Sequence, residues 1–284
     1  MYQPFPMLPG RRAQIWRYTP QYRRPRHFHR EPELNLVVSG TATFGTGTTS
    51  IDAAPGDLLH WPPGCDHELL QASPDLDLFV FALTPELCDR VLVRQAALAL
   101  SGPLRVRLPE STTSALHARL ASPAITAEAS VAEEYVSSVW QDAHVCRMTA
   151  PQRGLLGRRV LRSLLRQPEL DRGERARLMH AHPSELSRSF HGEFGLTLGS
   201  YRTRLRLLRF IELVETGRST LLAAALEAGF GSYSQCHRAF NATFGCPPRA
   251  FFRSQIRCDM ADAFEPFGTS AALGSARRRS QRDG

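Results

Sequence analysis

Two stretches of this 284-residue chain carry side chains whose types and spacing could do chemistry. The first is rich in histidine. It reads His27-Phe-His29-x3-Glu33-x6-Gly40 and resumes as Gly56-x5-Pro62-x-Gly64-x2-His67. Residues at i and i+2 of a strand point to the same face, so His27 and His29 can look together into a barrel. The second stretch occurs twice, fifty positions apart. Residues 185–195 read E-L-S-R-S-F-H-G-E-F-G and residues 235–245 read Q-C-H-R-A-F-N-A-T-F-G. Arg188 therefore matches Arg238, Phe190 matches Phe240, Phe194 matches Phe244 and Gly195 matches Gly245. A guanidinium fork can pair with O6 and N7 of a guanine, at ~1–3 kcal/mol of discrimination, or grip a phosphate instead.

The elements that must position the two arginines can be read from their neighbours. Ahead of the second copy, Ser219 is a candidate N-cap, Leu222, Ala225 and Leu226 form an apolar stripe, and Gly229 is a stop. Ser232 then caps a second helix that turns Cys236, Ala239 and Phe240 inward. A short helix, a glycine turn and a second helix with a polar outer face make a helix-turn-helix pattern. The first copy has residues 174–180 as leading helix and Pro183 at the first position of the next, where its missing N–H costs nothing. Between the copies, residues 201–216 predict a helix stopped by Gly217, a rod of roughly 25 Å. Such a rod can hold two recognition helices about one DNA turn apart, roughly 34 Å. Ser184, Ser187 and Arg188 on one helix, and Tyr233, Ser234, His237 and Arg238 on the other, are the expected DNA-reading faces. Arg202, Arg204, Arg206, Arg209, Arg249 and Arg253 are expected at phosphates. Phe190, Phe194, Phe240 and Phe244 are assigned to two small cores.

The first half reads differently. Strand-like runs at 34–38, 42–44, 57–60 and 76–83, parted by glycine and proline, argue for a small antiparallel barrel over 23–84. Residues 1–22, with Trp16 and Tyr18, are an arm or an edge strand. Apolar spacing predicts helices over 84–100 and 127–146, the second with Val131, Tyr135, Val139 and Val145 on one face. Together, 85–148 is expected to pack on the barrel or to pair two subunits. Residues 149–157 read as a linker, 158–258 as the helical domain with its first helix at 160–165, and 259–284 as a disordered basic tail. The fold class is α+β, in two domains.

Charge divides along the same line. Residues 151–258 carry 18 arginines against 8 acidic residues, a net of +10, while residues 1–150 carry 13 against 15, a net of −2. The basic excess thus lies on the half with the repeats, as an electrostatic footprint on DNA requires. No apolar run reaches the ~18 residues of a membrane span. Six cysteines without a C-x-x-C pair suggest reduced thiols in a cytoplasmic protein rather than a disulfide framework or zinc knuckle.

The run Ala225-x3-G-F-G-S-Y-S-Q-C-H-R-A-F-N-A-T-F-G-C-P-P-x4-Arg253 resembles the C-terminal signature of AraC/XylS-type transcription regulators. The upstream H-P-S-E-L-S-R-S-F-H-G-E-F-G, with Tyr201 and the arginine-rich rod, resembles that family's first helix-turn-helix. Cys236 departs from the family pattern, which has Phe there, and implies a looser second core. The histidine stretch resembles the two-part cupin signature of a jelly-roll barrel. Carried over by position, the resemblance implies that His27, His29, Glu33 and His67 ligate one divalent ion, and the donors suit Zn, Fe, Mn or Ni. The same four residues, with His60 and Trp61 beside them, could instead line a pocket for a small-molecule effector. By resemblance the partners are double-stranded DNA, a small effector, RNA polymerase and a second copy of the chain, and the outcome is activation. The rival expectation is a metal-dependent cupin enzyme carrying a DNA-binding half.

Overall fold

A computed structural model of the chain describes residues 1–5, 7–18, 25–47, 49–88, 104–120, 128–148, 155–217 and 219–253. Its strands are β1 (Ala13–Tyr18), β2 (Glu33–Ser39), β3 (Ala42–Thr46), β4 (Thr49–Ala53), β5 (Asp57–Trp61), β6 (Glu68–Ala72), β7 (Asp77–Leu83) and β8 (Leu104–Arg107). Five join in the order β1-β7-β2-β5-β8 and three in the order β4-β3-β6, all antiparallel. Strand alternation sorts the larger sheet into two faces. Trp16, Leu59, Trp61, Val80 and Ala82 face Ala42, Phe44 and Ala53 of the smaller sheet and fill the barrel. Ile15, Leu34, Leu58, Phe79 and Phe81 face outward and are covered by helices α1 (Glu110–Leu120) and α2 (Ala129–Met148).

The four strand-like runs expected between 34 and 83 are β2, β3, β5 and β7. The barrel nevertheless reaches beyond the expected 23–84 span. β1 pairs with β7 over six residues and β8 pairs with β5 over four, each covering an otherwise open ladder. β1 is the edge strand that was one of the two readings of residues 1–22; β8 was not legible, being only four residues long. α1 was also not anticipated: in ESTTSALHARL only Leu116 and Leu120 are buried, too few to make a stripe. Of the stripe foreseen on α2, Val131, Tyr135 and Val139 pack on the barrel. Of the helix expected over 84–100, residues 85–88 are helical; the remainder, most of the linker and the tail lie outside the described residues.

The second half holds α3 (Leu155–Arg166), α4 (Arg172–Leu178), α5 (Pro183–Phe194), α6 (Leu198–Glu215), α7 (Leu221–Glu227), α8 (Tyr233–Phe244) and α9 (Pro248–Arg253). Local chemistry sets most of these ends. Asp171 and Glu174 form a capping box before α4, and Pro183 opens α5. Thr220, rather than Ser219, caps α7. Gly195 and Gly245 close the two matched helices at φ 67° and 73°, a left-handed conformation that a Cβ would strain. The repeat holds to the level of burial: from 183 to 190 and from 233 to 240 the order of half-buried, exposed and buried positions is identical. α6 joins the two cores, giving Leu198 and Tyr201 to one and Leu207, Phe210 and Ile211 to the other. Cys236 fills the place of Leu186 and is fully buried. Phe240 sits among Phe210, Phe244, Phe251 and Phe252 with centroids 4.3–6.2 Å away. Phe240→Ala is expected to destabilise the helical half by ~3–5 kcal/mol, and Arg249→Ala by no more than ~0.5 kcal/mol; chemical denaturation monitored by circular dichroism measures both.

Candidate functional site

His27, His29, Glu33 and His67 converge inside the barrel. All four are buried, and one ligand atom from each lies within 4.8 Å of the others. Glu33 starts β2, while His27 and His67 face each other across an isolated antiparallel bridge whose two backbone hydrogen bonds measure 2.9 and 3.0 Å. The expectation that His27 and His29 share a face holds, although their segment is extended rather than part of a named strand. Each imidazole has Nδ1 at a backbone carbonyl: His27 at Pro25 (2.9 Å), His29 at Glu31 (2.6 Å) and His67 at Cys65 (3.3 Å). A carbonyl can only accept, so Nδ1 carries the proton in each ring and the other nitrogen is presented to the cluster. Nε2 of His29 and of His67 lie 2.8 and 3.1 Å from the same Glu33 oxygen, Oε2.

That arrangement requires a positive charge. An unprotonated Nε2 facing a carboxylate oxygen sets lone pair against lone pair, so the contact needs an imidazolium proton or a cation. Burial would push the Glu33 carboxyl up, yet the adjoining His67 and the contacts with His29 and His67 hold it well below the usual carboxylate range. Burial also lowers the His67 imidazole, with Glu33 opposing that shift. Donors ~2.0–2.2 Å from one transition metal lie only roughly 3–4 Å from each other, and the donor set, three imidazoles and a carboxylate, suits such an ion. The shell behind the donors is fixed as metal sites require. Asn35 Nδ2 donates to Glu33 Oε1 at 2.6 Å, and Trp61 Nε1 donates to Asn35 Oδ1 at 2.6 Å. Trp61 also stacks on His67, 4.8 Å between centroids and 5° from parallel. Asn35 was missed in the sequence, though its place two residues after Glu33 on one strand puts both on one face. His60 was expected beside the cluster. The structure places it on the opposite face of β5 from Trp61, with Leu58, because alternate strand residues point apart.

The same alternation turns the residues between the ligands outward, onto the helical half. Phe28 lies 6.2 Å from Phe244 at the end of α8, and Tyr2 packs edge-on against Phe244 at 5.6 Å. Arg204 of α6 stacks over Phe28 at 4.2 Å, donates to the Gly64 carbonyl at 2.8 Å and pairs with Asp66 at 3.1 Å. Tyr201 donates its hydroxyl proton to the Pro63 carbonyl. Gly47 approaches the end of α5 so closely that a Cβ there would fall 2.5 Å from the Phe194 carbonyl oxygen. The segments that carry the histidines thus touch the rod and the C-terminal end of α8, while the β3–β4 turn meets the end of α5.

On the faces expected to read DNA, Ser184, Arg188, Ser234 and Arg238 are exposed, and Ser187, Tyr233 and His237 half-buried. Ser184 and Ser187 are engaged locally, with His182 Nδ1 (2.7 Å) and the Pro183 carbonyl (3.0 Å). Arg249 and Arg253 are exposed. The four rod arginines have protein contacts instead of one common surface. Arg202 bonds the carbonyls of Pro168 and Glu169, Arg206 lies against Gly229, and Arg209 pairs with Glu212 and Glu227. Arg204 was expected at phosphates with the others, but the structure turns it to the barrel. At 100° per residue, positions 202, 206 and 209 share a face and 204 lies opposite.

A family model described as AraC-like ligand binding domain matches residues 8–141, and one described as helix-turn-helix domain matches residues 175–254. No curated protein matches the chain. Among solved structures, ToxT from Vibrio cholerae aligns at TM-score 0.41 and 12% identity, over 85% of this chain and 97% of its own. Unsaturated fatty acid bound ToxT from the same organism aligns at TM-score 0.42 and 12% identity, over 84% and 93%. Bacillus subtilis oxalate decarboxylase aligns at TM-score 0.24 and 22% identity, over 26% of this chain and 22% of that one. Alignments this loose transfer neither ligand nor activity.

Proposed function

We propose, from the premise that this chain belongs to the AraC-type transcription regulators, that its barrel senses through the His27, His29, Glu33 and His67 cluster. One observation carries the reading: the extended segments that present the three histidines inward, to Glu33, present Phe28 and Asp66 outward to α6 and α8. Any change at the cluster that shifts either segment is felt at Arg204 and Phe244, and so at the placement of both helix-turn-helix units. The four residues would hold a divalent transition metal, Zn, Fe, Mn or Ni, which would supply a fixed positive charge beside Glu33. Asn35, Trp61 and the three carbonyls orient the donors. Regulation rather than turnover is the proposed role, with DNA as partner, Arg188 and Arg238 as base readers, and Arg249 and Arg253 at phosphates. A homodimer acting in the cytoplasm with RNA polymerase accords with the family.

Elemental analysis of the purified chain beside a His27→Ala/His29→Ala variant tests the metal. About one equivalent per chain is expected, with loss from the folded variant. Equal, negligible metal in both would remove the ion from the reading and leave a histidine-lined site for another effector. Steady turnover of a substrate by the metal-loaded chain would favour the cupin enzyme instead.

A further inference from the structure

We propose a second ligand site in the helical half, where a cavity between the α3–α4 turn, α5 and the start of α6 binds a small organic anion, a carboxylate on a compact apolar body. The cavity holds about 340 Å³, within the range of small-molecule sites. Leu164, Leu170 and Leu198 supply apolar walls, and Arg175 and Arg202 supply charge. None of the lining residues is acidic.

The hydrogen bonds that hold the two guanidiniums in place all go to neutral groups. Arg175, fully buried, donates to the Ser163 hydroxyl and to the carbonyls of Gln167 and Leu170, both at 2.9 Å. Arg202 donates to the carbonyls of Pro168 and Glu169 at 3.4 and 3.2 Å. Neither forms an ion pair among the described residues, and burial followed by repulsion from Arg202 lowers the Arg175 guanidinium. Nε of Arg202 is buried without a hydrogen-bond partner. A buried donor left unpaired is uncommon and costly, and a carboxylate oxygen would satisfy it. The first turn of α6 adds its partial positive charge, and Gly199 has no side chain to obstruct approach. Three leucines favour an anion with an organic body over a bare ion. Ser187 and His191 line the same cavity, so the occupant would sit against the first recognition helix.

Calorimetric titration of the full chain with benzoate, benzamide and inorganic phosphate tests the site. Saturable benzoate binding is expected, with benzamide and phosphate at least about tenfold weaker. Arg202→Met keeps the apolar stem and removes the charge; Leu170→Trp fills the cavity and leaves the charge. Each variant, shown folded by circular dichroism, should lose at least about tenfold in benzoate affinity. Three results would overturn the site: no saturable benzoate binding, binding that persists in either folded variant, or phosphate binding as tightly as benzoate. The last would make the cavity a contact for bare anions such as DNA phosphates.

Discussion

Exchanging both Arg188 and Arg238 for alanine is expected to weaken binding to a selected operator by roughly two to four orders of magnitude. Each arginine contributes ~1–3 kcal/mol if it forks onto a guanine, and two contacts on separate helices add. The fold should hardly notice. Both side chains are exposed, occupy equivalent places seven positions ahead of Gly195 and Gly245, and support neither core. Stability should therefore change by no more than ~0.5 kcal/mol per site. Fluorescence anisotropy with the operator and with a scrambled duplex, across a salt series, separates base reading from phosphate binding. A base reader loses affinity for the operator far more than for the scrambled duplex. Equal losses on both, with the salt slope reduced by about two, would reassign the pair to phosphates.

Arg204→Ala should have the second-largest effect, and on a different quantity. Its guanidinium closes three contacts at once, with Phe28, Gly64 and Asp66, and it is largely shielded from solvent. In wild type, removing the proposed metal from the cluster with a chelator is expected to change operator affinity by about 5–150-fold, the usual range for linked sites. In Arg204→Ala that ratio should shrink to within about twofold, since the segment bearing His67 loses its grip on the rod. Arg209→Ala is the control. Its exposed pairs with Glu212 and Glu227 lie within the helical half and contribute little, so the ratio should persist. A ratio undiminished in Arg204→Ala would show that the signal travels another way, with the aromatic contacts of Tyr2 and Phe28 on Phe244 the next to test.

Much of this protein was legible in its residues because the signals were local. A repeat at a fixed offset places Phe190 with Phe240 and Gly195 with Gly245, and helix periodicity then turns Leu186 and Cys236 inward and Arg188 and Arg238 outward. Pro183, Ser232 and the two left-handed glycines mark helix ends within a few residues of themselves. Alternation along two short extended segments aims His27, His29 and His67 at one point, and the structure brings Glu33 to them. Short elements without a periodic stripe, β8 and α1, had no such local signal.

Only the tertiary structure decided what each outward side chain meets. Adjacent residues of β5 must point apart, but that Trp61 takes the barrel interior and His60 the other face is set by what packs on each side of the sheet. Arg204 and Asp66 lie 138 residues apart, and no propensity or spacing links them. Helix geometry could say that Arg204 points away from Arg202, Arg206 and Arg209, but not that the barrel stands on that side. Periodicity and capping act over one or two turns, so a sequence shows which way a side chain faces. What stands opposite depends on long-range packing, and that is where the histidine-bearing segments meet the helical half.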